Sequence, residues 1–442
     1  MDALSTMVWR VRFWRFLGTL GFGYRMFRPS NSRLPVHSND SPFYSLPMNV
    51  PKRCCQPALR GCALASRRAN ASRRAFSLSS CPQKHGGLPV FQESSSEELS
   101  KVLYTLNAKI LLPHHLNPEQ KRLIFKDKNI AKLEADPIYA QIGTVEMPLE
   151  HIQRTRDIPR KWLIFKQAVE LSTDQKDWEN VVKMLEGFHS ANIKMKEQHL
   201  LKFIRRANEA GMQHVVLNAL QRVHRTGLSL KSPAILQEVL AGIHHKASVS
   251  GWENESTKKA LSLAEQVVEL MENPEHLGEA IAKSGDLRAS PLVIAVPLEL
   301  AAVRAAKHTQ GEDKDGKVAK YAQRIMAAFK QDGFFENVLP KALSKHLNPL
   351  QSDTKLDDKS KTLHYHELKR EIPKWIPVWY GLKTASLEVL GKNTPMAEDV
   401  GKIIYLVGER LTAAELAIRK CAPSEVNVDD LPCIIALKEC GK

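Results

Sequence analysis

The chain has 442 residues, 43% of them hydrophobic and 7% aromatic, with seven cysteines and a formal net charge of +16. No apolar run approaches the roughly 18–20 residues that a membrane span requires, and the cysteine spacings match neither a zinc pair nor a paired disulfide motif. The charge does not mark a strongly basic polyanion binder either. Thirteen Lys/Arg and only two acids, Asp2 and Asp40, fall in residues 1–76, and the other 366 residues hold 51 basic and 46 acidic side chains.

Residues 1–76 are Arg- and Ser-rich, poor in carboxylates and interspersed with aromatic residues such as Trp9, Phe13, Trp14 and Phe16. That is the composition of a mitochondrial presequence, disordered and removed on import. The step Arg73-Arg74-Ala75-Phe76-Ser77 resembles a matrix processing site, which points to cleavage around Arg74, Phe76 and Ser77. Met48 opens a second stretch that is presequence-like by itself, so a start at Met48 is an alternative to one long signal. Cys54, Cys55 and Cys62 would leave with this segment. Cys81, Cys421, Cys433 and Cys440 would remain as free thiols, with a C-terminal disulfide as the second reading.

Residues 77–157 read as a flexible linker and an N-terminal arm or cap. The Ser-, Gly- and Glu-rich residues 77–100 predict disorder, giving way from Glu97 to a helix carrying Leu99, Val102, Leu103 and Leu106. A short helix is expected over Pro118–Leu133, capped by Asn117 with Pro118 in its first turn, and an extended pair near Ile142–Met147.

From Ile158 onward apolar residues recur at three- and four-residue steps and strand-like alternation is scarce. The pattern predicts helix pairs over residues 158–346, a polar linker at 347–363 and a C-terminal hairpin and tail at 364–442. A repeat stands out at an offset of 35 residues. Val181 falls on Val216, Met184 on Ala219, Leu185 on Leu220, Phe188 on Val223, Asn192 on Gly227 and Lys196 on Lys231. Later pairs are Pro233–Ala247 with Ser256–Met271, Pro291–His308 with Gly316–Gln331, and Lys374–Leu390 with Met396–Lys420. The fold class is all-α, an α-solenoid of about five helical hairpins.

The segments KDWENVVKMLEGFHSANIKMK and AGMQHVVLNALQRVHRTGLSLKSP resemble degenerate pentatricopeptide (tetratricopeptide-like) repeats over about residues 160–235. That resemblance implies RNA lying along the face made by the first helices, with bases read by polar side chains and phosphates met by Lys/Arg. By resemblance, Lys202, Arg205 and Arg206 would line such a face. Arg222, Arg225 and Lys231 add to the positive charge on the same two units. The alternative is an ordinary solvated helix face.

Chemistry is harder to find. There is no Gly-x-Ser-x-Gly, no His-Glu-x-x-His and no phosphate-cradling loop. His114-His115, His244-His245 and His364/His366 read as solvated or capping side chains, because adjacent histidines on a helix diverge by about 100°; His364 and His366 would converge only on a strand. Neither enzyme, nor metal, nor cofactor is expected. Trp375 and Trp379, four residues apart, read as core of the last hairpin or as an anchor for a partner. The function expected is a non-enzymatic matrix protein of mitochondrial gene expression that binds RNA or the mitochondrial ribosome. A protein-binding assembly or stability factor for a respiratory-chain complex, with subunits of that complex as partners, is the alternative. Near-neutral mature charge and the exposed-looking Ala-rich stretches Leu298–Ala306 and Thr412–Ile418 fit that alternative, which also allows a peripheral place at the inner membrane.

Overall fold

A computed structural model describes residues 87–278, 285–331 and 357–441. The chain divides after Leu78, and all described residues belong to the second unit, Ser79–Lys442. The proposed presequence with Arg74, Phe76 and Ser77, the start at Met48, and residues 347–356 of the linker lie outside the described residues.

The described residues of this unit are helical apart from one β-hairpin and the connecting segments. Its N-terminal arm starts with α1 (Glu97–Thr105), capped by Ser96, whose side chain accepts from the Leu99 amide. A π-helical turn (Leu106–Leu111) and α2 (Leu112–His115) continue it. The helix expected over Pro118–Leu133 is two helices, α3 (Pro118–Phe125) and α4 (Ile130–Ala135). Asn117 and Gln120 form the capping box at the start of α3. The break follows from Asn129, whose side-chain amide donates to the carbonyls of Arg122 and Leu123 and so satisfies the end of α3. Strands β1 (Tyr139–Ile142) and β2 (Val145–Pro148) then pair antiparallel, with Ile142 opposite Val145. Gly143 supplies the positive φ of the tight turn between them.

Hairpins follow in order: α5 (Lys161–Leu171) with α6 (Gln175–Ser190), and α7 (Glu197–Glu209) with α8 (Gln213–Gln221) and α9 (Val223–Thr226). Next come α10 (Pro233–Val249) and α11 (Asn254–Leu270), then α12 (Pro291–His308) and α13 (Lys317–Lys330). Arg222 separates α8 from α9. The first helices α5, α7 and α10 pack on one another in sequence, and α6 packs on α8 and α9. Val181, Met184, Leu185 and Phe188 are buried, and so are Val216, Ala219, Leu220 and Val223 at the offset of 35. Asn192 and Gly227, also equivalent, both take the left-handed conformation that ends the second helix.

Residues 87–96 depart from the expectation of disorder. They run extended along α6, where buried Asn180 accepts from the Gln92 amide at 2.8 Å and donates to its carbonyl at 3.0 Å. Asp177 accepts from the amide and hydroxyl of Ser95 at 3.0 and 2.6 Å. Gly187 leaves the space into which Pro89 and Leu111 pack, and a Cβ there would meet both. Burial alone would raise the Asp177 pKa, but the hydrogen bonds from Ser95, Thr173 and Asp174 outweigh it and hold the carboxyl below its ordinary value.

The C-terminal part is organised around α12. Leu298–Ala305 is not an exposed Ala-rich stretch: Leu298, Leu300, Ala301, Ala302, Val303 and Ala305 are all buried. The small side chains let neighbours approach from every side, so the helix is apolar all round. It packs against α10, α11, α13 and α14 (Asp358–Thr384). The last of these begins at Asp358 instead of Lys374 and carries Pro373 and Pro377 in its interior. A Cβ on Gly381 of α14 would lie only 3.0 Å from the Glu299 backbone, so glycine sets this helix crossing. A π-helical turn (Ala385–Leu390), α15 (Ala397–Cys421) and α16 (Pro432–Gly441) follow. The expected tail is thus a packed helix, with Ile434, Leu437 and Cys440 buried. Among the described residues no helix is long and apolar enough to cross a membrane.

Candidate RNA and partner surfaces

Four of the cations singled out by sequence are held by carboxylates. Lys202 on α7 lies 2.8 Å from Glu170 on α5, and Arg205 lies 2.8 Å from Glu238 on α10. Arg206 meets Glu209 at 2.8 Å on its own helix, and Arg222 meets Glu186 of α6 at 2.9 Å. The hydrogen bond from Lys202 holds the Glu170 pKa below the usual carboxylate range. Lys202, Arg205 and Arg222 tie adjacent helices, and the charge of all four is largely cancelled where it sits. Arg225 and Lys231 are exposed and have no carboxylate partner among the described residues.

The same is true of five cations that sequence reading passed over. Arg154 and Arg156 project from an ordered turn whose amides are tied by Gln153 and Asp157. The turn is docked on α3 by Ile152, whose amide donates to the Ile124 carbonyl at 2.9 Å, and by Arg154 stacked 4.2 Å over the Phe125 ring. Arg160 and Lys161 open α5, and Lys196 precedes α7. All five are exposed. A signal was available: Lys161, Lys196 and Lys231 recur at intervals of 35 residues.

The starts of the three first helices are adjacent in space. Trp162 of α5 stacks on His199 of α7 with ring centroids 3.7 Å apart and 14° between planes. Ser232, capping α10, donates to Glu197 of α7 at 2.5 Å. Burial and then the nearby Lys196 lower the His199 pKa, which favours the neutral form of the stacked ring.

Trp375 and Trp379 part company. Trp375 is 2% exposed and belongs to the core. Trp379 is half-buried and floors an open trough of about 560 Å³ on α15, lined by Ile404, Tyr405, Gly408, Thr412, Ala413 and Leu416. Tyr405 and Leu416 there are 73% and 58% exposed. Gly408 makes the fit, since a Cβ would lie 2.9 Å from the Trp379 ring nitrogen.

The histidine pairs fall differently from expectation. His244 is buried and hydrogen-bonds Glu299 at 2.7 Å, both side chains being almost fully enclosed. Trp252 packs edge-on against His244 and also against Tyr380, and its carbonyl meets His308 at 2.8 Å. Burial raises the pKa of the Tyr380 hydroxyl and of the Cys440 thiol, with Glu299 adding to both. His364 and His366 lie on α14, a helix and not a strand, and His364 sits 3.6 Å from Glu367. Cys421, Cys433 and Cys440 are free and buried. Burial raises their thiol pKa values, which disfavours the reactive thiolate.

Comparison with known proteins adds two findings. The family described as "Mitochondrial ribosomal protein mS27" matches residues 74–429. A small ribosomal subunit protein mS27 from Neurospora crassa is 31% identical over 227 residues, covering 50% of this chain and 57% of that protein. The match therefore spans less than two thirds of the relative's own length.

Proposed function

The chain belongs to the mitochondrial ribosomal protein mS27 family, and we propose that it is a non-catalytic component of the small subunit of the mitochondrial ribosome, acting in the matrix. Its packed helices serve there as a scaffold that holds ribosomal RNA and neighbouring ribosomal proteins. One observation carries this reading: the family match runs through the arm, the hairpins and the C-terminal helices alike, so nearly the whole folded unit is the shared feature. The chemistry is compatible. The buried titratable pair His244 and Glu299 joins packed helices and is not opened toward a substrate. Exposed cations on loops and helix starts are the means by which a near-neutral protein meets RNA phosphates at chosen points.

Sedimentation of mitochondrial lysate containing the tagged full chain tests the proposal. The protein should travel with small ribosomal particles and leave that position when RNase dismantles them. Migration with a respiratory subcomplex, unaffected by RNase, would overturn it in favour of an assembly factor.

A further inference from the structure

Lys161, Lys196 and Lys231 stand one per unit, each at the start of a first helix or in the loop leading into it. The Trp162–His199 stack and the Ser232–Glu197 hydrogen bond fix those three starts side by side. Packed helices lie roughly 8–10 Å apart, so the three lysines recur at about that step along one edge. Arg160 extends the edge at α5, and the docked turn extends it further with Arg154 and Arg156.

The cations on this edge are exposed and not held in ion pairs. None of these six side chains has a carboxylate partner among the described residues, whereas Lys202, Arg205, Arg206 and Arg222 each lie within 2.9 Å of one. Asp157 and Glu197 also lie along the edge, accepting from the Gln153 amide and the Ser232 hydroxyl; both keep their negative charge, and the six cations outnumber them. A row of exposed cations mounted on rigid helix starts fits a ligand of regularly spaced negative charges. The aromatic rings along it are already engaged, Trp162 with His199 and Phe125 with Arg154.

From this we infer that the edge formed by Arg154, Arg156, Arg160, Lys161, Lys196 and Lys231 is a contact site for the RNA sugar-phosphate backbone. The inference rests on the ribosomal reading above and refines it, moving the RNA contact from the ion-paired residues on the helix faces to the leading edge of the first helices. Recognition there is of backbone and not of sequence, since the side chains are point charges or guanidinium forks presented at helix starts and on a turn.

The test uses the full chain and an in vitro transcript of mitochondrial small-subunit ribosomal RNA, with affinity measured from 50 to 200 mM salt. The triple variant K161Q/K196Q/K231Q should bind about ten-fold or more weakly, and its salt slope should fall by about two to three, one unit or slightly less per lost phosphate contact. The variant R154K/R156K/R160K, which keeps the charge, should keep the slope. K202Q/R205Q/R206Q removes the same formal charge and should leave the slope nearly unchanged. Equal losses in both glutamine triples, or no change in the first, overturns the inference. Circular dichroism and the melting midpoint verify that the variants fold. Gradient sedimentation separates the two levels of the argument. If the wild-type chain never travels with small particles, the ribosomal reading fails. If wild type and K161Q/K196Q/K231Q both travel and bind RNA alike, only the edge assignment fails. If particle association is lost in the triple variant although isolated RNA binding is not, the edge meets an acidic protein and the RNA assignment is overturned.

Discussion

The hairpins from Lys161 to Leu270 and the helices gathered around α12 solve the same burial problem in different ways. In the first region each helix buries one stripe against its chain neighbours. The packed pattern of Val181, Met184, Leu185 and Phe188 is copied 35 residues later, and the ion pairs of Lys202 and Arg205 between helices are partly exposed. In the second region α12 is enclosed from every side, and a polar pair, His244 with Glu299, is sealed inside the joint between α10, α12 and α14. The first arrangement spreads its stability over many interchangeable contacts. The second concentrates it at a few side chains for which no substitute is at hand.

That difference sets the order of mutational effects. Glu299→Ala strips the buried His244 of its partner, and breaking a buried pair from one side costs about 3–5 kcal/mol. A large fall in the denaturation midpoint is expected, and a loss within 1 kcal/mol would show that the joint is not held as described. Asn180→Ala removes both hydrogen bonds to the backbone of Gln92 and should cost about 1–3 kcal/mol. Hydrogen exchange should rise most at residues 88–95; uniform change across the unit would instead mean that the extended segment is not separately held. Asp177 gives a pH signature. Its folded pKa lies below the unfolded value, so its contribution is present above about pH 4 and is lost as pH falls through the lowered value. Asp177→Asn should therefore be less stable than wild type at pH 7, with the gap narrowing under acid; a gap that stays constant from neutral pH to about pH 3 contradicts the assignment. Lys202→Gln, which breaks a half-exposed pair, should change stability by less than about 1 kcal/mol. A larger loss would make the surface links in the hairpin region as decisive as the buried joint.

Much of the first region was legible because its signal is local and repeated. Helical periodicity marked the hairpins, and the offset of 35 aligned Asn192 with Gly227, which do share a backbone conformation. The partners of the cations were not legible. Glu170 lies 32 residues from Lys202 and Glu238 lies 33 from Arg205, distances that mean nothing until the helices are stacked. The second region hid its character in its composition. The alanines of α12 read as a bland exposed face, yet small side chains are what allow four neighbours to crowd one helix. The helix expected from Lys374 begins at Asp358, and the missing amide donors of Pro373 and Pro377 are tolerated inside α14, where packing holds the chain. The extended segment at 87–96 looked disordered because its own residues have little to bury. Asn180 and Asp177, 80 to 90 positions away, supply what holds it.

Protein–RNA crosslinking within intact small ribosomal particles, read by mass spectrometry of the adducted peptides, tests the proposed ribosomal contact most directly. Adducts should concentrate at residues 154–161, around Lys196 and at Lys231. Adducts confined to the helix faces that carry Lys202, Arg205 and Arg222, with the leading edge bare, would contradict the account.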